Sequence, residues 1–253
     1  MRNRGPALLA LLGGCVLLAL LLSFTASAHA HEPVLLDPNR ATPGVHLELV
    51  AVPPAKTEGS VPRYRLVATG FPTGVIFDVW TKRFGHSFHK AASGFRVDTA
   101  GRLVSLEREV SDGIRDLNDT VFQPEAYPRG TIWQVALAST DLTITAFATV
   151  IPRPIMVSNG PCIVSLELVS YRGDRFLASG TGFPPGDNVT IESRYSGLVK
   201  QKKRRASADG ALPPDVIWHA SLGDDRTAQY SVRARSCEVT LEYEWGEAAL
   251  RGP

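Results

Sequence analysis

The chain has 253 residues, of which 44% are hydrophobic and 21% are charged, and this composition excludes wholesale disorder. Its formal net charge is +2, and Arg2 and Arg4 account for all of that excess. Because a nucleic-acid-binding chain usually carries a basic surplus, we expect no nucleic-acid partner. None of the familiar catalytic signatures G-x-S-x-G, H-E-x-x-H or a phosphate-binding loop occurs, so we predict that the protein is not an enzyme.

The first 30 residues have the pattern of a secretory signal peptide. A short basic start precedes an apolar run over 7–24, and signal cleavage can follow Ala28 or Ala30. Two alternatives stay open: the apolar run is retained as a membrane anchor, or Cys15 carries a lipid. We therefore predict a secreted, periplasmic or cell-surface protein, attached to a membrane only if this segment is uncleaved or lipidated.

The cysteine count agrees with export. Cys15 is lost with a cleaved signal, which leaves Cys162 and Cys237 as an even pair. Disulfides persist in exported proteins, so we predict that these two residues are bonded.

The chain contains an internal repeat. The sequence LELV at 47–50 recurs at 166–169, and RYRLVATGFPTG at 63–74 recurs as RFLASGTGFPPG at 175–186. The repeated segments keep their order, which indicates two copies of one domain. The predicted division is a signal peptide over 1–30, a first domain over 31–151, a proline linker over 152–155 and a second domain over 156–253.

Each copy has the pattern of β-strands. Residues 163–169 and 239–245 alternate apolar and polar side chains, as half-buried strands do. Glycine and proline recur at the short intervals that are typical of a β-sandwich. The weak exception is 110–117, which predicts a turn of helix inside a long loop that ends at 130. We therefore predict an all-β protein of two tandem β-sandwich domains.

One hairpin in each copy carries a family resemblance. The stretch GTGFPPG at 180–186, followed by NVTI at 188–191, resembles the corresponding stretch of bacterial immunoglobulin-like repeats of the IPT/TIG type. The resemblance implies immunoglobulin-like sandwiches, in which the first and last strands begin at the same end of the domain. It also implies use as a spacer, an adhesin or a module appended to an enzyme.

A basic segment is the first candidate binding site. Five of its six residues are cations, and we predict that they lie on a hairpin loop: Lys200, Lys202, Lys203, Arg204 and Arg205. One interpretation is a loop that binds polyanions. The other is a solvated loop whose charge is balanced by four carboxylates, Glu238, Glu242, Glu244 and Glu247. The long loop over 110–130 is a second region where we expect contacts.

Histidines give an alternative hypothesis, a copper site. The candidate ligands are His29, His31, His86 and His89. Cleavage after Ala28 would place His31 third, where it completes a square-planar chelate with the terminal amine. Cleavage after Ala30 would place His31 first, which resembles periplasmic copper-resistance sandwiches and lytic polysaccharide monooxygenases. The two downstream histidines can share one metal only if Gly85 starts a turn.

These observations together predict an exported, non-catalytic binding, adhesion or scaffold module of the bacterial cell envelope that needs no cofactor. Its expected partner is an envelope or extracellular protein, or a polyanionic glycan. The alternative is a secreted copper-binding protein that uses an N-terminal histidine. A structural spacer without any ligand is the third possibility.

Overall fold

The described chain is built almost entirely from β-strands, which confirms the all-β prediction. A computed structural model describes residues 36–52, 62–105, 121–122, 124, 128–220 and 226–251. The strands of the first half are β1 (His46–Val52), β2 (Arg63–Thr69), β3 (Phe77–Lys82), β4 (His89–Val97), β5 (Leu103–Ser105), β6 (Val121–Phe122), β7 (Trp133–Ser139) and β8 (Thr145–Val150). The strands of the second half are β9 (Ile155–Asn159), β10 (Cys162–Leu168), β11 (Arg175–Thr181), β12 (Asn188–Tyr195), β13 (Leu198–Arg205), β14 (Leu212–Trp218), β15 (Thr227–Arg233) and β16 (Glu238–Glu244).

Helical structure is confined to two short segments of the described residues. A 3-10 helix covers Pro38–Arg40, and the helix α1 covers Glu247–Leu250. The helical turn expected over 110–117 lies outside the described residues. No helix in the described ranges is both long and apolar enough to cross a bilayer.

The strands form because apolar and polar side chains alternate along them. In β10 and β16 every second side chain is buried, and the residues between are half-buried or exposed. Side chains of successive strand residues point to opposite faces, so each of these strands presents one apolar face to the interior. The strands predicted over 163–169 and 239–245 are observed one residue earlier, at Cys162–Leu168 and Glu238–Glu244.

The internal repeat extends to the strand topology. In the first half the sheets have the orders β1-β2-β6 and β5-β4-β3-β7-β8. In the second half they have the orders β14-β11-β10-β9 and β13-β12-β15-β16. The order β1-β2-β6 corresponds to β10-β11-β14, and β4-β3-β7-β8 corresponds to β13-β12-β15-β16. The halves differ by one added strand each, β5 in the first and β9 in the second.

Each half has its own hydrophobic core. The first core contains residues of 47–148, with Phe77 and Val79 fully buried. The second contains residues of 155–249, with Phe176 and Leu168 fully buried. Two sheets with one core between them make the arrangement of a β-sandwich in each half.

The two halves are joined by backbone hydrogen bonds and belong to one compact unit. The Gly130 N–H donates to the Arg153 carbonyl at 2.7 Å, and the Leu168 N–H donates to the Gly130 carbonyl at 2.8 Å. Ile155, which the sequence assigned to the linker, is the first residue of β9 and is buried in the second core. The division into two domains at 152–155 stays a prediction.

The predicted disulfide is present. Cys162 and Cys237 are bonded, with 6.5 Å between their Cα atoms. Cys162 is the first residue of β10, and Cys237 directly precedes β16, so the bond joins the two sheets of the second half. Thr140 is the matching residue of the first half by the sequence repeat, and that half has no such bond.

Candidate functional site at a basic sheet edge

The basic segment 200–205 is a β-strand, and the predicted loop is wrong. These residues form most of β13, which pairs antiparallel with β12. The two strands are joined by Ser196 and Gly197, which have φ values of 45° and 74°. Two consecutive positive φ values are typical of the tight turns that join hairpin strands. The dipeptide Ser-Gly was the local signal for this hairpin in the sequence.

The register of β13 divides its cations between the two faces of the sheet. On the inner face, Lys202 lies opposite Ile191 and Arg204 opposite Val189, which are core residues of β12, and Lys200 lies opposite Ser193. On the outer face, Lys203 lies opposite Thr190 and Arg205 opposite Asn188. The five cations therefore line both sides of one strand, at the edge of its sheet.

Only one of the five cations has a carboxylate partner within the described part of the chain. The Lys202 ammonium pairs with the carboxylate of Asp215 on β14. The Lys200 ammonium lies 5.3 Å from the centre of the Tyr195 ring. The Arg205 Nε donates to the Gly186 carbonyl at 3.0 Å. The strand therefore keeps most of its positive charge.

The carboxylates expected to balance this charge lie at the opposite edge of the sheet. Glu238, Glu242 and Glu244 are exposed on β16, and Glu247 begins α1. Strands β12 and β15 separate β16 from β13. Three strand spacings amount to about 14 Å, which exceeds the screening length of about 8 Å at physiological salt. The sheet is therefore polarised, with a basic edge at β13 and an acidic edge at β16.

A groove of about 230 Å³ lies between β13 and β14, which are edge strands of the two facing sheets. Its lining residues include Tyr195, Lys200, Lys202, Asp215, Ile217 and Tyr230. The Tyr230 hydroxyl donates to Asp215 at 3.3 Å, and burial together with that carboxylate raises the pKa of Tyr230. The groove therefore combines aromatic walls with two lysines and one ion-paired carboxylate.

A buried histidine lies beside this groove. His219 is 1% exposed, and its Nε2 is 2.9 Å from the Tyr243 hydroxyl. Its ring centre is 4.5 Å from that of Tyr195, which also lines the groove. Burial, and then the charge of Lys200, lower the pKa of His219 to about 4. Sequence reasoning missed this residue, because a single histidine at the end of a strand carries no distinctive pattern.

The copper hypothesis gains no support from the described residues. His29 and His31 lie outside them. His86 ends a turn that contains Gly85, and the His86 N–H donates to the Arg83 carbonyl at 3.0 Å. His89 begins β4, and its Nε2 lies 3.1 Å from the Thr81 hydroxyl. Within the described ranges, no three side chains of His, Cys, Asp or Glu are grouped closely enough to hold a metal ion. Copper binding therefore stays a prediction.

Comparison with known proteins shows no family for this chain. No protein-family model matches it, and no curated protein matches it significantly. Among solved structures it is similar to the crystal structure of a tetra-tandem repeat in the extending region of a large adhesion protein. The identity is 14%, the TM-score is 0.26, and the match covers 79% of this chain and 48% of that one. The chain thus spans about half the length of that structure.

Proposed function

We propose that this chain is an exported, non-catalytic binding or adhesion module of the bacterial cell envelope, and that it binds polyanionic glycans through β13. The observation that carries the proposal is the cluster of five cations on a strand at a sheet edge. Only Lys202 among them has a carboxylate partner in the described residues. The protein would act by holding a charged polymer against a rigid sheet.

The geometry of a strand suits a linear anionic polymer. Alternate residues of a strand lie about 7 Å apart along its axis and share one face. Lys203 and Arg205 thus form a short row of positive charges on the outer face, and Lys200, Lys202 and Arg204 form a second row on the groove side. Because β13 is held in a hairpin, its backbone does not have to become ordered on binding.

Export and the immunoglobulin-like character are part of the proposal. A disulfide between Cys162 and Cys237 is compatible with an oxidising compartment, and the pattern of residues 1–30 supports a signal peptide. The two halves repeat one strand order, which suits tandem copies of an immunoglobulin-like sandwich.

Heparin is a suitable probe, because it is a soluble polyanionic glycan. The double variant Lys203→Ser/Arg205→Ser should bind heparin about tenfold more weakly at low salt, because two exposed cations are lost. The difference should shrink as salt rises, since exposed charges are screened. Titration calorimetry at several salt concentrations measures both effects.

The matched control removes two cations from the first half. Lys82→Ser/Arg96→Ser makes the same change in net charge, and Arg96 lies on β4, the counterpart of β13. The control should leave heparin affinity within twofold of the unmodified chain. Equal losses in both double variants would mean that heparin senses only net charge, and the proposed site would be wrong.

A further inference from the structure

The outer edge of β13 has free backbone groups. Within the described ranges β13 pairs only with β12. The two-residue turn makes Tyr195 and Leu198, which flank it, a hydrogen-bonded pair, and such pairs alternate along an antiparallel ladder. The residues between them belong to non-hydrogen-bonded pairs and direct their N–H and C=O groups away from β12. Four β13 residues are in such pairs: Val199, Gln201, Lys203 and Arg205. This edge can accept a further strand.

The first half shows that the fold accommodates a strand at this position. There, β4 is the counterpart of β13, and β5 pairs with it in antiparallel register from Val97 opposite Leu103 to Phe95 opposite Ser105. Leu103 of this added strand is buried. In the second half the corresponding edge lacks such a strand among the described residues.

Of the two strands that border the groove, β13 is better suited than β14 to pair with an added strand. Strand β14 contains Pro213 and Pro214, which have no N–H to donate to a neighbouring strand. Strand β13 contains no proline, and the groove next to it can receive side chains from the inner face of an added strand. The backbone and the cavity therefore favour the same edge.

The charge of the edge specifies the partner. An added strand would place alternate side chains beside Lys203 and Arg205 on the outer face, and the side chains between them beside the groove. Carboxylates directly beside these cations are favourable, and lysines or arginines there would be repelled. Complementary charge thus selects an acidic segment with smaller or apolar residues at the positions between the acids.

We propose that the free edge of β13 binds an extended acidic peptide segment of a partner protein as an additional strand, by β-augmentation. This inference rests on the proposed function, since the same cations attract the ligand, and it names a protein strand as one partner of the site. Backbone hydrogen bonds supply affinity that does not depend on side-chain charge. That part of the binding can be removed without changing the charge of β13.

The test uses a blocked peptide of alternating glutamate and valine, with an alternating lysine and valine peptide as its counterpart. Gln201→Pro removes an N–H that faces the free edge and leaves the pairing with β12 and every charge unchanged. Gln201→Ala is the matched control, because both variants lose the hydrogen bond from the Gln201 side chain to Glu192. We expect the unmodified chain to bind only the glutamate peptide. Gln201→Pro should weaken that binding at least tenfold, and Gln201→Ala less than threefold.

Hydrogen exchange of the unmodified chain gives a second readout if Gln201→Pro does not fold. The glutamate peptide should slow exchange of the Val199, Gln201 and Lys203 amides at least tenfold, because these amides become hydrogen-bonded. Unchanged exchange at these amides, or equal peptide affinity of the two Gln201 variants, would overturn β-augmentation. Heparin binding is measured in parallel. Its persistence in Gln201→Pro would leave the proposed function intact, and its dependence on Lys203 and Arg205 is tested separately.

Discussion

The two halves of the chain share one strand order but differ in whether a further strand pairs at the corresponding sheet edge. In the first half β5 pairs with β4 and occupies its edge. In the second half β13, the counterpart of β4, has no strand beyond it in the described residues and carries five cations. Charged residues on an edge strand discourage uncontrolled pairing with other sheets. One half therefore protects the edge with backbone pairing, and the other with charge that also offers a binding surface.

The two halves also differ in how their sheets are held together. The second half has the disulfide between Cys162 and Cys237, whereas the first has Thr140 at the position of Cys237. Each half also buries a polar side chain: the second half buries His219 among aromatic rings, and the first half buries Asp78, whose carboxylate pairs with Lys90. The half with the free edge is thus the half whose two sheets are covalently linked.

The largest expected effect comes from removing the disulfide, which only the second half has. Cys162→Ser/Cys237→Ser opens a link across 75 residues of chain, and the free energy of unfolding of the second half should fall by about 4 kcal/mol. Hydrogen exchange with mass spectrometry reads the halves separately. Amides of β10–β16 should lose protection, and amides of β1–β8 should change little. Equal loss in both halves would show that they unfold as one cooperative unit.

A smaller effect concerns His219 and pH. Because its pKa is lowered to about 4 in the folded chain and is near 6.5 when unfolded, the unfolded chain binds the proton more tightly. The free energy of unfolding is therefore unaffected by protonation of this residue above pH 6.5. It falls by about 3 kcal/mol as the pH decreases from 6.5 towards 4. His219→Gln keeps a neutral polar group near Tyr243 and should flatten this part of the pH profile. Urea unfolding at several pH values measures the slope. An unchanged slope in the variant would assign the acid sensitivity to other groups.

Sequence reasoning predicted the features that depend on local pattern or on pairing. The alternation in β10 and β16, the repeat and the disulfide could all be predicted, because each depends on a periodic pattern or on a count of residues in the sequence. The segment 200–205 was misassigned because its residues are polar on both faces. One face is in solvent, and the other borders the groove between β13 and β14, where Lys202 pairs with Asp215, so no apolar alternation remains in β13.

The site itself depends on contacts between distant strands. Lys202 meets Asp215, and His219 meets Tyr195 and Tyr243, only after the two sheets of the second half are packed. No spacing in the sequence encodes those contacts. The clustering of the cations was evident from the sequence, whereas their place on a strand, their division between two faces and their distance from the acidic strand β16 required the structure.

The smallest predicted effect concerns a glycine of the repeated motif that both halves share. Gly70 and Gly182 occupy the same position of the repeated motif, with φ values of +75° and +76°. A Cβ atom would lie 2.1 Å from the Gly44 carbonyl oxygen at Gly70 and 1.8 Å from the Pro161 carbonyl oxygen at Gly182. Each change to alanine should therefore cost about 2 kcal/mol or more.

Gly44→Ala and Gly160→Ala are the matched controls, one in each half. Both glycines have positive φ, but a Cβ atom there meets nothing within 4 Å, so the expected cost is only about 1 kcal/mol. Urea unfolding of the four single variants compares the costs. If Gly70→Ala and Gly182→Ala exceed their controls by similar amounts, the motif has the same role in both halves, which is to let two backbone segments approach closely. If only one of them exceeds its control, the repeat preserves the sequence of this turn but not its packing. The difference between the halves would then extend from the sheet edge into the core.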